Sequence, residues 1–283
     1  MCSIGLVLSG GMAKGAYQIG ALQAIREIFK PSDFRYVSSA SIGALNSYAF
    51  LANNLDMAID IWKAEDKGRQ RKWVTSLLKS TFLHDVVKQI ICDIQLCSIF
   101  YVPLVDIKKR KLVYVDIGKM TPENIELHLR ASISIPIFNP AIDINGDKFY
   151  DGAIIDNIPI MPILKNPVDY IICIYFDNYD YIFENECTDK KIIKINFSDN
   201  IITNSICYNS ELIYYMIDEG YAKAKKILDY VLFDGVDNIT SVYSRISTLH
   251  TQSEVKNPRV TGDIIVNNMN KVVRKFMRKI EVV

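Results

Sequence analysis

The first apolar run of the chain, Ile4–Leu8, stops at Ser9-Gly10-Gly11. A short apolar stretch that ends in glycines reads as a buried strand entering a tight loop. Behind that loop the periodicity changes. Ile19, Leu22, Ile25 and Phe29 recur at helical spacing and predict a helix over 16–29. Phe34–Ser38 predicts a second strand, and Ala44–Leu51 a helix that follows it at once. Strands alternating with helices predict an α/β fold of three layers, a mostly parallel central sheet between helices. Further on, 56–100 reads as helical, with a change of character at Lys67-Gly68-Arg69-Gln70-Arg71-Lys72-Trp73. Leu112–Ile117 predicts a strand, and Asn124–Ser132 a short helix closed by Ile135-Pro136. Phe149-Tyr150-Asp151-Gly152 reads as a strand end or turn. Tyr170–Phe176 and Ile192–Phe197 predict strands, 205–232 a long helix, 234–262 a polar, turn-rich segment, and Ile264–Ile280 an amphipathic helix. We expect one domain over 1–283, with its core at about 4–232 and a C-terminal extension beyond it.

Composition narrows the function classes. Hydrophobic residues make up 49% of the 283 and charged residues 23%, which suits a sizeable core and argues against disorder. Lys and Arg number 33 against 32 Asp and Glu, a net charge of +1 that gives no reason to expect a nucleic-acid partner. The cysteines, Cys2, Cys92, Cys97, Cys173, Cys187 and Cys207, form no CxxC pair and are expected to be buried free thiols in a reducing cytosol. His84, His128 and His250 have no metal-ligand spacing. No basic leader and no apolar stretch of membrane-spanning length is visible, so a soluble, cytoplasmic protein is expected.

Three blocks carry chemistry. Ser39-Ala40-Ser41-Ile42-Gly43 lies between a strand and a helix, the context of a nucleophile elbow. There the helix start offers unpaired N–H groups and the positive dipole end to a developing anion. A serine-rich turn that merely caps a helix is an equal alternative. Ser9-Gly10-Gly11-Met12-Ala13-Lys14-Gly15 can turn its amides inward as an oxyanion hole, or be a structural turn. A phosphate-binding loop is excluded, because Ala16 and Tyr17 follow Gly15 where Lys and Ser or Thr are required, and GxGxxG spacing is absent. Asp151-Gly152-Ala153 is by itself a common turn sequence.

In order and spacing, the three blocks together resemble the patatin-like phospholipase family. Its pattern is a glycine-rich loop with a basic residue, then Gly-x-Ser-x-Gly, then Asp-Gly-Gly/Ala. Gly15–Leu22, Gly43-Ala44-Leu45-Asn46, Ala131-Ser132 to Pro136, Asn157-Ile158-Pro159-Ile160 and Glu219-Gly220-Tyr221 extend the likeness over about 4–230. Two positions depart from it: Met12 stands where a third loop glycine is usual, and Ser39 where the first elbow glycine is. The resemblance implies a lipid acyl hydrolase without cofactor or metal. Ser41 would be the nucleophile and Asp151 its base, while Gly10, Gly11 and Met12 amides would hold the oxyanion. Ser39 and Gly43 would shape the elbow, with Lys14, Gly15 and Gly152 in support. It also implies a phospholipid or other lipid acyl ester as substrate. A thioesterase or acyltransferase using the same pair, and a scaffold of the same fold with weak turnover, are the alternatives. A Ser41–Asp151–His250 triad is the rival mechanism, disfavoured because His250 falls in the polar segment and Ser41 follows only the second strand.

A lipid substrate calls for peripheral membrane contact. Lys67, Arg69, Arg71 and Lys72 beside Trp73 are one candidate, and Lys108-Lys109-Arg110-Lys111 another. The third is the last helix, with Met269, Val272, Val273, Phe276 and Ile280 on one face and Lys271, Arg274, Lys275, Arg278 and Lys279 on the other. Each singly is as well explained as a solvated face.

Overall fold

The computed structural model describes residues 2–63, 80–136, 138–177, 180–197, 210–251 and 256–259. In chain order the elements begin with β1 (Ile4–Leu8), α1 (Gly15–Arg26), β2 (Phe34–Ser39), α2 (Ile42–Leu51) and α3 (Leu55–Lys63). After α4 (Ser80–Ile90) come β3 (Ile99–Asp106), β4 (Lys111–Asp116), α5 (Pro122–Ser132), β5 (Ile142–Ile144), β6 (Asp147–Asp151) and α6 (Met161–Leu164). β7 (Tyr170–Phe176), β8 (Asp180–Phe183), α7 (Glu186–Asp189), β9 (Ile192–Phe197), α8 (Ser210–Val231), α9 (Ile239–Thr251) and β10 (Lys256–Arg259) complete the described chain.

β1 is apolar throughout because it is central. It pairs in parallel with β2 on one edge and β7 on the other, and all five of its residues are buried. β9 continues the parallel sheet beyond β7. On the other side β3 pairs in parallel with β2 and antiparallel with β4 and β6. One face carries α1, α2, α5, α8 and α9, which share a single core with Leu6, Leu8, Val37 and Ile172. The opposite face packs Val7, Tyr36, Ile171 and Cys173 against Ile158, Ile160 and Ile163 and the aromatic side chains of β8. The predicted three-layer α/β architecture is therefore the one observed. α1 and α8 cross with their backbones in contact: a Cβ on Gly20 would lie 1.9 Å from the Ile217 carbonyl oxygen.

Three expectations change. The stretch 56–100 is not continuously helical: Ile99–Asp106 is an inner strand of the sheet, and its apolar run is sheet core. The polar segment after 234 contains α9, whose Val242 and Ile246 enter the main core and whose His250 is buried. Cys97 and Cys187 are exposed and Cys2 and Cys92 half-buried, so only Cys173 is a buried thiol among the described residues. Lys108–Lys111 lies at the turn joining β3 to β4, where Lys109 pairs with Asp106 at 2.9 Å and Lys108 with Asp147 at 3.4 Å. Lys67–Trp73, Cys207 and the helix expected at 264–280 lie outside the described residues. Among those described, no helix is long and apolar enough to cross a membrane.

Candidate active site

The registers on β3 determine what meets. Along one edge of β3, β4 pairs from Tyr101 to Asp106 without a break. The other edge is shared. β2 occupies it up to Ser38, opposite Tyr101, and β6 occupies it from Asp151, opposite Leu104. Because β2 is parallel to β3 and β6 antiparallel, their carboxyl ends point at one another. The chain leaving β2 reaches Ser41 in the gap, and β6 delivers Asp151 to the same place.

Ser41 adopts φ 54 and ψ −129, then caps α2. A non-glycine residue held at positive φ costs of order 1–3 kcal/mol and persists only where its surroundings over-determine it. Here they do. Ala40 donates its N–H to the Leu8 carbonyl at 3.0 Å, and Gly43 donates to the Ala40 carbonyl at 2.9 Å. Gly43 has no room for a side chain, since a Cβ would lie 2.6 Å from the Ser9 carbonyl oxygen. Ser39, in place of glycine, is fully buried but satisfied by the Ser47 hydroxyl at 2.7 Å.

Asp151 is 1% exposed. Its N–H donates to the Ser134 carbonyl, and its carboxylate accepts the Ala153 N–H at 2.8 Å. Burial pushes its pKa up to about 7, and the neighbouring Ser41 hydroxyl and the Ala153 amide pull against that rise. Gly152 is obligatory, because a Cβ there would stand 2.3 Å from the Pro103 carbonyl carbon.

The glycine loop lies beside the pair. A Cβ on Gly10 would be 3.0 Å from the Ser41 Cβ. The amide of Gly10 donates to the Asn157 carbonyl at 3.1 Å, and Asn157 Nδ2 donates back to the Gly10 carbonyl at 3.2 Å. Gly10, expected as an oxyanion donor, is thus clamped with its amide hydrogen-bonded to the Asn157 carbonyl. Among the described residues, the amides of Gly11 and Met12 have no such partner. Met12 takes φ 50, so it carries the strain that the usual glycine would avoid. The Lys14 ammonium lies 5.9 Å from the centre of the Phe176 ring. Gly15 packs under Trp62 and Ile42, where an added Cβ would meet each at 2.8 Å.

His250 is remote from this place. Its Nδ1 lies 3.0 Å from Asp189 Oδ2, which also binds Lys194 at 2.8 Å. Asp189 precedes β9, at the amino edge of the sheet, whereas Ser41 follows β2 at the carboxyl edge. Among the described residues no group of three His, Cys, Asp or Glu could hold a metal. Gln18 and Asn46, which entered above only as part of the likeness and without a role, and Trp62, which did not enter at all, link the loop to α2. The available signal was two amide side chains on otherwise apolar helix faces.

A family model described as "Patatin-like phospholipase" matches residues 6–164. Lysophospholipase NTE1 of Cryptococcus neoformans is 25% identical over 199 residues, covering 62% of this chain and 11% of that protein. Neuropathy target esterase sws of Drosophila melanogaster is 39% identical over 80 residues, covering 28% of this chain and 6% of that one. The chain therefore spans about a tenth or less of these relatives. The crystal structure of VipD from Legionella pneumophila matches with a TM-score of 0.51 at 15% identity, over 99% of this chain and 80% of that one, a likeness of fold. With the family match covering more than half of the sequence and spanning both Ser41 and Asp151, the chain belongs to the patatin-like phospholipase family.

Proposed function

We propose that the protein hydrolyses lipid acyl esters through Ser41 and Asp151. The observation that carries this reading is the meeting of a strained serine at a helix start with a buried carboxyl whose pKa stands at about 7. A base poised near neutral pH combines a useful ionised fraction with the basicity to take a hydroxyl proton. Ser41 Oγ attacks the ester carbonyl carbon and its proton passes to the Asp151 carboxylate. The C–O bond to the leaving alcohol breaks as Asp151 returns that proton to it, leaving an acyl-serine. Water then attacks the acyl carbonyl, Asp151 takes the water's proton, and the proton goes back to Ser41 as the fatty acid departs.

The tetrahedral oxyanion is held by the Gly11 and Met12 amides, with the start of α2 contributing its positive dipole end. A lipid substrate is favoured by the family and by the loop next to Asp151. That loop turns at Ser134, whose carbonyl binds the Asp151 amide, and presents Phe138 at 46% exposure. A fluorophosphonate probe tests the reading. Wild type should be labelled and should release fatty acid from phospholipid vesicles, and Ser41→Ala should do neither. Equal labelling of both proteins would refute it.

A further inference from the structure

The buried amides of Gln18 and Asn46 form a chain of hydrogen bonds that the two-residue mechanism does not use. The Trp62 indole N–H donates to Asn46 Oδ1 at 3.1 Å. Asn46 Nδ2 donates to the Gln18 Oε1 at 2.9 Å and to the Gly15 carbonyl at 3.0 Å. Gln18 Nε2 donates to the Ser9 carbonyl at 2.7 Å. Gln18 is 0%, Asn46 2% and Trp62 7% exposed, so water offers no substitute partners.

The chain has one polarity. An indole nitrogen can only donate and a carbonyl oxygen can only accept. Trp62 at one end therefore fixes which way the Asn46 amide points, Asn46 fixes Gln18, and Gln18 presents its donor to Ser9. Flipping either amide would set two donors or two acceptors face to face. The ends of the chain matter more than its middle. Ser9 and Gly15 are the residues on which the glycine loop enters and leaves. Asn46 stands on α2, whose first residue follows Ser41 directly. The Ser9 carbonyl also faces Gly43 on that helix at the limit of contact.

We infer that Trp62, Asn46 and Gln18 are positioning residues: a one-way amide relay that holds the oxyanion loop in register with the nucleophile's helix. The inference rests on the ester-hydrolase reading above. Without the relay, the Ser9–Gly10 and Gly15–Ala16 peptides lose their only side-chain tethers among the described residues, and the Gly11 and Met12 amides drift relative to Ser41. A displacement of about 1 Å in such donors can cost about 100-fold in rate.

The test compares Gln18→Met and Trp62→Phe with Ile25→Ala, a core change on α1 away from the relay. Turnover of p-nitrophenyl butyrate is measured per fluorophosphonate-titrated site, well below each melting temperature. Gln18→Met is expected to lower kcat by about 10- to 100-fold with KM within about two-fold. Trp62→Phe, which keeps one aromatic ring but removes the indole N–H together with the volume of the second ring, should show a smaller fall of the same kind. Ile25→Ala should lower the melting temperature and leave kcat alone. If Gln18→Met fails to fold, Trp62→Phe carries the comparison. A relay variant that melts early yet keeps wild-type kcat would overturn the inference while leaving the hydrolase intact. A wild type without Ser41-dependent labelling or turnover would overturn both.

Discussion

The buried carboxyl of Asp151 should make the protein less stable as the pH rises, the reverse of the usual behaviour of an aspartate. Its pKa is raised by burial from 3.8 to about 7. In the unfolded chain it ionises near its ordinary value. Between those two pH values the folded protein holds a proton that the unfolded chain has lost, so stability falls as pH rises across that window and levels off above about 7. At 1.36 kcal/mol per pKa unit, the full fall is about 4 kcal/mol. Asp151→Asn removes the charge, keeps the shape, and retains an oxygen to accept the Ala153 N–H. Relative to wild type it should gain stability between pH 5 and pH 8 by about 3 kcal/mol, the part of the window still open at pH 5. Urea denaturation at both pH values measures this. Any fixed packing penalty of the new amide cancels in the difference. In parallel, wild-type kcat/KM should rise with pH through an apparent pKa near 7, as Asp151 loses its proton, and Asp151→Asn should be inactive at every pH. A wild-type minus variant stability gap that does not change with pH would refute the desolvation argument and, with it, the claim that Asp151 is poised as a base.

Two further outcomes follow from the geometry. Met12 sits at φ 50, so Met12→Gly should remove roughly 1 kcal/mol of backbone strain and raise the melting temperature by about 2 °C, read by thermal denaturation. His250→Ala should cost about 1–3 kcal/mol, because it leaves a buried carboxylate with one partner fewer, yet it should leave ester turnover intact at temperatures where the variant is folded; a loss of turnover there would revive the triad.

Much of the site was legible because its parts are local. The Ser39–Gly43 elbow needs a strand, a sharp turn and a helix in fifteen or so residues, and Phe34–Ser38 and Ala44–Leu51 announce both flanks. Asp151 was legible only through its neighbours. The hairpin that carries it was missed although Asn145-Gly146 marks it: both residues have positive φ, at 55 and 86, as a two-residue turn between Ile144 and Asp147 requires. β3 was missed for a different reason. Its apolar run follows the amphipathic α4, and a short apolar run in that setting reads equally well as helix or strand. α9 escaped because its apolar positions, Val242 and Ile246, are sparse among Ser and Thr. His250 looked solvated in sequence for the same reason; its burial depends on Asp189, which only the fold brings near. No pattern in the chain reveals that the Gly10 amide, one of the expected oxyanion donors, is engaged by the Asn157 carbonyl.

What brings Ser41 and Asp151 together is therefore not held by either of their loops. Ser38 pairs with Tyr101 and Asp151 with Leu104, three residues apart on one edge of β3, or about 10 Å at the rise of a strand. That interval is where the elbow turn fits. A slip of one residue in either pairing would shift one partner by about 3.3 Å and turn alternate side chains to the other face. Two features of β3 oppose a slip. Pro103 lies within the interval, where a missing N–H is tolerated because neither β2 nor β6 pairs there. Gly152 packs directly on the Pro103 backbone, so any bulkier residue at 152, or a shift of β6 along β3, meets main chain rather than a movable side chain. The distance between Ser41 and Asp151, the proposed nucleophile and base, is thus set by strand register on β3, a strand that contributes no side chain to the proposed chemistry.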